Sequence, residues 1–196
     1  PKVMNKTKTK VGLVLSGGGA RGAYQAGALN AIFEQALKYK DEFPFAITSG
    51  MSAGSINTTF LATHAPNPKY AIEKLVGVWG HIHSKQVYKT DSISLGKIGL
   101  KWVKDFTFGR LLRDHHASFL LDTSPLYHLM KHQVPIHRIK KNIEQGLLHG
   151  HALTALNYTT GKCHTFYEAH PDVKDWNKNR RQGNRTNLSL RHVMAS

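Results

Sequence analysis

Twice before residue 64 the chain carries a short apolar run straight into a turn of small residues and then into a helical pattern. Lys10 to Ser16 contains Val11-Gly12-Leu13-Val14-Leu15 and meets Gly17-Gly18-Gly19, while Phe43 to Thr48 meets the turn Ser49 to Gly54. After the first turn, Leu29, Ile32, Phe33, Ala36 and Leu37 recur at the spacing of one helix face, ending near Lys40. After the second, Ile56, Thr59, Phe60 and Thr63 share a face, and Asn67-Pro68 supplies the cap and first-turn pair of a helix presenting Ile72, Leu75, Val76 and Trp79. A strand followed by a helix that returns to another strand requires a parallel crossover, so this order predicts an α/β fold around a mostly parallel sheet.

The remainder is less regular. Lys85 to Leu121 reads as an insertion, within which Leu95, Ile98 and Trp102 could share one helical face and Lys97, Lys101 and Lys104 another. Asp122-Thr123-Ser124-Pro125 caps a helix carrying Leu126, Leu129 and Met130. His151 to Tyr158, a Thr160-Gly161 turn and Cys163 to Glu168 predict a β-hairpin, and the polar stretch His170 to Asn187, with no apolar period, predicts a loop. A chain of 196 residues supports one sizeable core, so a single domain over 1–196 is expected. No apolar run approaches the roughly 18 to 20 residues that cross a bilayer, and Pro1 to Lys10 lacks an apolar signal region. The lone Cys163 can form no internal disulfide. A cytoplasmic protein is expected from these features, with peripheral membrane contact compatible with its charge.

That charge is the outlier: 27 Lys and Arg against 12 Asp and Glu give +15, with 13 His in reserve. Such a surface favours polyanions, whether nucleic acid, an anionic membrane or an acidic partner.

Gly50-Met51-Ser52-Ala53-Gly54 is a G-x-S-x-G sequence between a predicted strand and a predicted helix. A nucleophilic serine on a sharp strand-to-helix turn needs small neighbours because the backbone there is crowded and strained. The helix start also aims free N–H groups at an oxyanion forming on Ser52. Gly17-Gly18-Gly19-Ala20-Arg21-Gly22 opens the preceding helix and exposes backbone amides without side chains, a cradle for a phosphate or a tetrahedral oxyanion. The hexapeptide also fits the dinucleotide fingerprint, but that fold wants an acidic residue at the end of the second strand, and Asp41 and Glu42 lie before it. Strand ends of neighbouring parallel strands share one sheet edge, so the glycines and Ser52 can converge. The pairs His81 with His83, His115 with His116 and His149 with His151 lack a supporting Cys or carboxylate pattern, so no metal is expected.

Together the glycine hexapeptide, the Gly50-to-Gly54 elbow and the following Ser55-Ile56-Asn57 resemble the patatin-like phospholipases, lipid acyl hydrolases; Leu121 to Leu126 and the hairpin with Thr159-Thr160-Gly161-Lys162 are similar to bacterial members. The resemblance implies a three-layer α/β/α fold, a nucleophile at Ser52, an elbow of Gly50, Met51, Ala53 and Gly54, and an oxyanion hole from Gly17, Gly18, Gly19, Arg21 and Gly22. It implies a Ser-Asp dyad, an acyl-enzyme intermediate, a glycerophospholipid or other acyl-lipid substrate and no cofactor. The family's aspartate precedes a glycine. None of Asp41, Asp91, Asp105, Asp114, Asp122, Asp172 and Asp175 does, and Val193-Met194-Ala195-Ser196 resembles the start of the segment that leads to it. The C-terminal part, with the catalytic aspartate, is therefore expected beyond residue 196, leaving this fragment nearly inactive. Two alternatives stand beside this reading. One is a Ser-His-Asp esterase drawing on Asp122 and His149, His151 or His164; the other is a non-catalytic polyanion- or membrane-binding module. No nucleic-acid-binding signature supports a nucleic-acid partner.

Overall fold

The computed structural model describes residues 10–88 and 122–196. These divide into two compact units, one of residues 10–81 and 133–196 and the other of residues 82–88 and 122–132. The expected helix over 95–104, His115, His116, Asp91, Asp105 and Asp114 lie outside the described residues.

The first unit is built on a six-stranded mixed sheet flanked by helices. Its strands are β1 (Gly12–Leu15), β2 (Ile47–Gly50), β3 (Gly150–Asn157), β4 (Lys162–Ala169), β5 (Trp176–Lys178) and β6 (Arg181–Arg185). Their order is β1-β2-β3-β4-β6-β5. The pairs β1–β2, β2–β3 and β4–β6 are parallel, whereas β3–β4 and β5–β6 are antiparallel. The helices of this unit are α1 (Gly22–Tyr39), α2 (Ala53–Thr63), α3 (Pro68–His81), α6 (Arg138–Glu144) and α7 (Leu190–Ala195); α4 (Ser84–Val87) and most of α5 (Ser124–Gln133) belong to the second.

The strand–turn–helix order predicted from the sequence is present, with three local differences. Phe43 and Phe45, expected in the second strand, pack edge to face with each other and with Phe33 of α1, ring centroids 5.8 to 6.0 Å apart. The aromatic cluster takes that segment out of the ladder, and β2 begins at Ile47. Helix α2, expected to bury one face, is buried all round except at Ile56. It lies against β1, β2 and β3 on one side and against α1 and α3 on the other. Its hydroxyls survive burial by bonding back to their own helix: Thr58 Oγ1 donates to Gly54 O (2.9 Å), Thr59 Oγ1 to Ser55 O (2.6 Å) and Thr63 Oγ1 to Phe60 O (2.9 Å). The stretch His170 to Asn187, expected as a loop, contains β5 and β6. The ring of Trp176 stacks on Tyr167 at 5.1 Å and lies over Gly183, where a Cβ would come within 2.2 Å of the indole. Tertiary stacking supplies the cohesion that a polar sequence lacks. Helix α6 has too few turns to show a period and escaped prediction.

His151 lies in the core of this unit, 1% exposed, between Thr48 Oγ1 (2.8 Å from Nδ1) and Thr59 Oγ1 (3.1 Å from Nε2). Burial pushes its pKa down to about 3, partly offset by the hydrogen bond at Thr48. Burial lowers His64 and His192 as well. The unfolded chain takes up these protons below an ordinary His value near 6.5, while folded His151 stays neutral until about pH 3. Stability is thus full above pH 6.5 and falls with acidification, by about 1.4 kcal/mol per pH unit for His151 alone. Urea unfolding at pH 7 and pH 5 should show a lower midpoint at pH 5, and His151→Val should flatten much of that dependence.

Candidate active site

Strand β1 pairs with β2 in parallel register, Leu15 opposite Gly50, so the two turns that follow leave the sheet at the same edge. Met51 N donates to Leu15 O (3.1 Å), extending that pairing one residue into the second turn. Ser52 then takes φ 52° and ψ −127°. A residue with a side chain avoids that left-handed region unless its surroundings impose it. Here the imposition is visible. Gly54 N donates back to Met51 O (2.9 Å), and Ser55 N to Ser52 O (2.8 Å), so α2 starts with no spare residue after the strand. The reversal brings the backbone of Gly54 against β1, where a Cβ would lie 2.3 Å from Leu15 O. Gly50 is equally enclosed, by Gly54 O and Thr58 Oγ1. Ala53 is buried beneath, whereas Met51 and Ser52 are exposed, which leaves the serine hydroxyl open to solvent.

The glycine loop stands beside this turn. A Cβ built on Gly17 would lie 2.9 Å from Ser52 Cβ and 3.6 Å from Ser52 Oγ, so only a glycine lets the two segments approach this closely. Gly19 adopts φ 54°, the conformation that starts the short helical turn Gly19–Arg21. Within that turn Arg21 N donates to Gly18 O (3.1 Å), and Gly22 N to Ala20 O and Gly19 O. Of the five residues expected to form an anion cradle, Arg21 and Gly22 therefore use their amides internally. Among the described residues the amides of Gly17, Gly18 and Gly19 donate to no protein acceptor. The Ala53 amide, first of α2, is likewise open. Exposed Arg21 has its Cβ 3.1 Å from where a Gly18 Cβ would be, so its side chain starts directly over the loop.

Two supports were missed in the sequence. Asn57 is wholly buried in α2, and its Nδ2 donates to Gly22 O (3.0 Å) and to Gln25 Oε1 (3.0 Å), while Trp79 Nε1 donates to its Oδ1 (2.6 Å). Gln25 Nε2 in turn donates to Ser16 O (2.8 Å). This chain of bonds fastens the start of α1 and the end of β1 to the helix that carries the serine turn. A poor helix former in the middle of a helix, as Asn57 is, is the sequence signal for such a tie. The second support is Ser196, whose Oγ accepts from Ser52 N (3.0 Å) and donates to Thr154 O of β3 (2.6 Å), pinning the strained residue to the next strand.

Among the described residues no imidazole or carboxylate is hydrogen-bonded to Ser52 Oγ. Of the histidines considered as its base, His151 is enclosed by Thr48 and Thr59. His149 precedes β3, whose first residue pairs with the first residue of β2, so it lies at the sheet edge opposite Ser52. His164 stacks on Phe166 of its own strand, with ring centroids 6.4 Å apart. Asp122 Oδ1 accepts from Ser124 N (2.9 Å) and from the Ser124 hydroxyl, capping α5 as expected. Chemically the arrangement offers an exposed hydroxyl on a strained turn, bordered by open backbone donors and by Arg21, with no imidazole or carboxylate hydrogen-bonded to it among the described residues.

A family model described as patatin-like phospholipase matches residues 13–196 of this chain. Among solved structures, the crystal structure of type III effector protein ExoU is similar, with 16% sequence identity and a TM-score of 0.40. That match covers 85% of this chain, which spans 37% of the other. No curated protein matches.

Proposed function

Since the chain belongs to the patatin-like phospholipase family, we propose that it is the nucleophile-bearing part of a lipid acyl hydrolase in which Ser52 carries the acyl group. The observation that carries this reading is the strained Ser52, held at φ 52° against Gly17 beside open amides. Ser52 Oγ attacks the ester carbonyl of a glycerophospholipid and gives its proton to a base. The amides of Gly17, Gly18 and Gly19, with that of Ala53, donate hydrogen bonds to the developing oxyanion; one such donor is worth about 3 to 4 kcal/mol in the transition state. The tetrahedral intermediate expels the alcohol, which leaves with the proton from the base. Water then attacks the acyl-serine, its proton passing to the same base, and the fatty acid departs as Ser52 regains its hydrogen. The base is an aspartate beyond residue 196, as the family resemblance implies. Arg21, exposed beside the loop, meets the lipid phosphate.

The +15 charge favours peripheral contact with an anionic bilayer, at about 1 kcal/mol for each basic residue near the surface. No helix among the described residues is long and apolar enough to cross a membrane.

The test is fluorophosphonate labelling of residues 1–196 and of a version extended to include the proposed aspartate, followed by fatty-acid release from phosphatidylcholine and phosphatidylglycerol vesicles. The extended protein should label at Ser52 and release fatty acid, and the shorter one should do so at a small fraction of that rate. Equal turnover by both would remove the missing base from the proposal. No labelling and no release by either would remove the hydrolase and leave a lipid-binding module.

A further inference from the structure

At the opposite edge of the sheet, two histidines and an aspartate converge that the sequence keeps apart. His149 immediately precedes β3 and His170 immediately follows β4; Gly150 pairs with Ala169, so the histidines form the next step of the same antiparallel ladder. His170 N donates to His149 O (2.8 Å), and the two rings stack with centroids 5.1 Å apart. The chain then turns, Val173 N donating to His170 O (3.1 Å), and returns Asp172 to the ring edges. Asp172 Oδ1 lies 3.2 Å from His149 Nε2 and 2.9 Å from His170 Nδ1. Arg185 anchors the turn from behind through the carbonyls of Ala169 (2.5 Å), His170 (3.1 Å) and Val173.

We propose that His149, His170 and Asp172 bind one divalent cation of the zinc class. Their donor atoms all lie within 4.8 Å of one another. Ligands on a tetrahedral ion with 2.0–2.1 Å bonds sit roughly 3.3 Å apart, and the two nitrogen–oxygen separations here, 3.2 and 2.9 Å, are close to that. Two imidazoles and one carboxylate suit zinc, whereas magnesium and calcium prefer oxygen alone. The fourth position is left to water. His149 is 16% exposed and backs the site, while His170 and Asp172 are about half exposed and leave it open to entry. Attraction for a cation is already visible: Lys10 Nζ lies 3.1 and 3.2 Å from the two ring nitrogens of His149. Zinc must displace this ammonium, which makes Lys10 a competitor whose removal strengthens binding. The site shares no residue with Ser52 and its surroundings, so it stands independently of the proposed hydrolase. Bound metal would clamp the start of β3 to the turn after β4.

The test is calorimetric titration of the metal-stripped full chain with Zn2+, together with the visible absorption of its Co2+ adduct. One saturable site is expected. His149→Ala, His170→Ala and Asp172→Asn should each weaken it at least about tenfold and bleach the Co2+ band, and Lys10→Met should tighten it by about threefold or more. His81→Ala with His83→Ala, a control for the other histidines, should leave it unchanged. Asp172→Asn keeps an exposed side chain of the same shape, so its loss of binding cannot be ascribed to misfolding. Zn2+ binding weaker than about 100 μM in the wild type, or equal binding by wild type and Asp172→Asn, would overturn the proposal.

Discussion

Ser52→Ala in the protein extended to include the proposed aspartate should lower fatty-acid release by about ten-thousand-fold while leaving the fold in place. The two effects separate because the hydroxyl has no structural task. Among the described residues Ser52 Oγ is paired with no imidazole or carboxylate, so its removal leaves no buried partner stranded, and the residue is exposed. The bond to Ser196 Oγ is donated by the main-chain N–H of Ser52 and persists in alanine. The strain at φ 52° is the same for any residue with a Cβ. Unfolding free energy should therefore move by no more than about 0.5 kcal/mol. Fluorophosphonate labelling should vanish, and vesicle binding, which depends on the basic surface, should not change. A variant that still hydrolyses ester at a tenth of the wild-type rate, a loss of only about 1.4 kcal/mol, would place the nucleophile elsewhere.

Gly50→Ala should cost a large part of the stability, about 3 kcal/mol or more. Its Cβ would lie 2.4 Å from Gly54 O, 2.4 Å from Thr58 Oγ1 and 2.5 Å from Ser55 Cα. Two of these belong to the backbone of α2, which is wedged between the sheet and α1 with α3 and cannot retreat. Denaturant unfolding gives the shift in midpoint, and the same preparation should lose fluorophosphonate reactivity as the turn opens. Gly77→Ala is the matched control: it lies inside α3 with nothing within 4 Å of its Cβ, so the helical preference for alanine should make it neutral to stabilising by up to about 1 kcal/mol. A Gly50→Ala protein as stable as the wild type would mean that the elbow has room the geometry denies it.

Much of this architecture is local and was therefore legible. The strand ending at Leu15, the presence of a second strand near the Phe43 to Thr48 run and the hairpin of β3 and β4 depend on neighbours a few residues away, and short-range patterns carry them, although β2 runs on through Ser49 and Gly50, which the sequence placed in the turn. Capping is equally local: Asn67 Oδ1 accepts from Tyr70 N (3.0 Å) as the Asn67-Pro68 pair suggested. The two glycine turns were readable for a related reason, since a backbone position that forbids a Cβ writes itself into the sequence as glycine. What failed was long-range. The burial of α2 on every side could not be read from Thr58, Thr59 and Thr63, because a hydroxyl bonded to its own helix is indifferent to whether water or protein lies beyond it. The strands within His170 to Asn187 hold through Trp176 on Tyr167, a pairing with no periodic trace.

Sequence alone determined that two strand ends carry glycine turns with a serine on the second, because turn chemistry is a property of consecutive residues. Tertiary structure alone decided which amides of the glycine loop remain open, that Asn57 and Ser196 hold the serine turn, and that His149 meets His170 and Asp172 rather than His151. The reason is alternation in a strand. Residues 149 and 151 start a strand on the same side, and only packing decides what lies there: Thr48 and Thr59 close over His151, whereas the end of β4 delivers two metal-binding groups to His149.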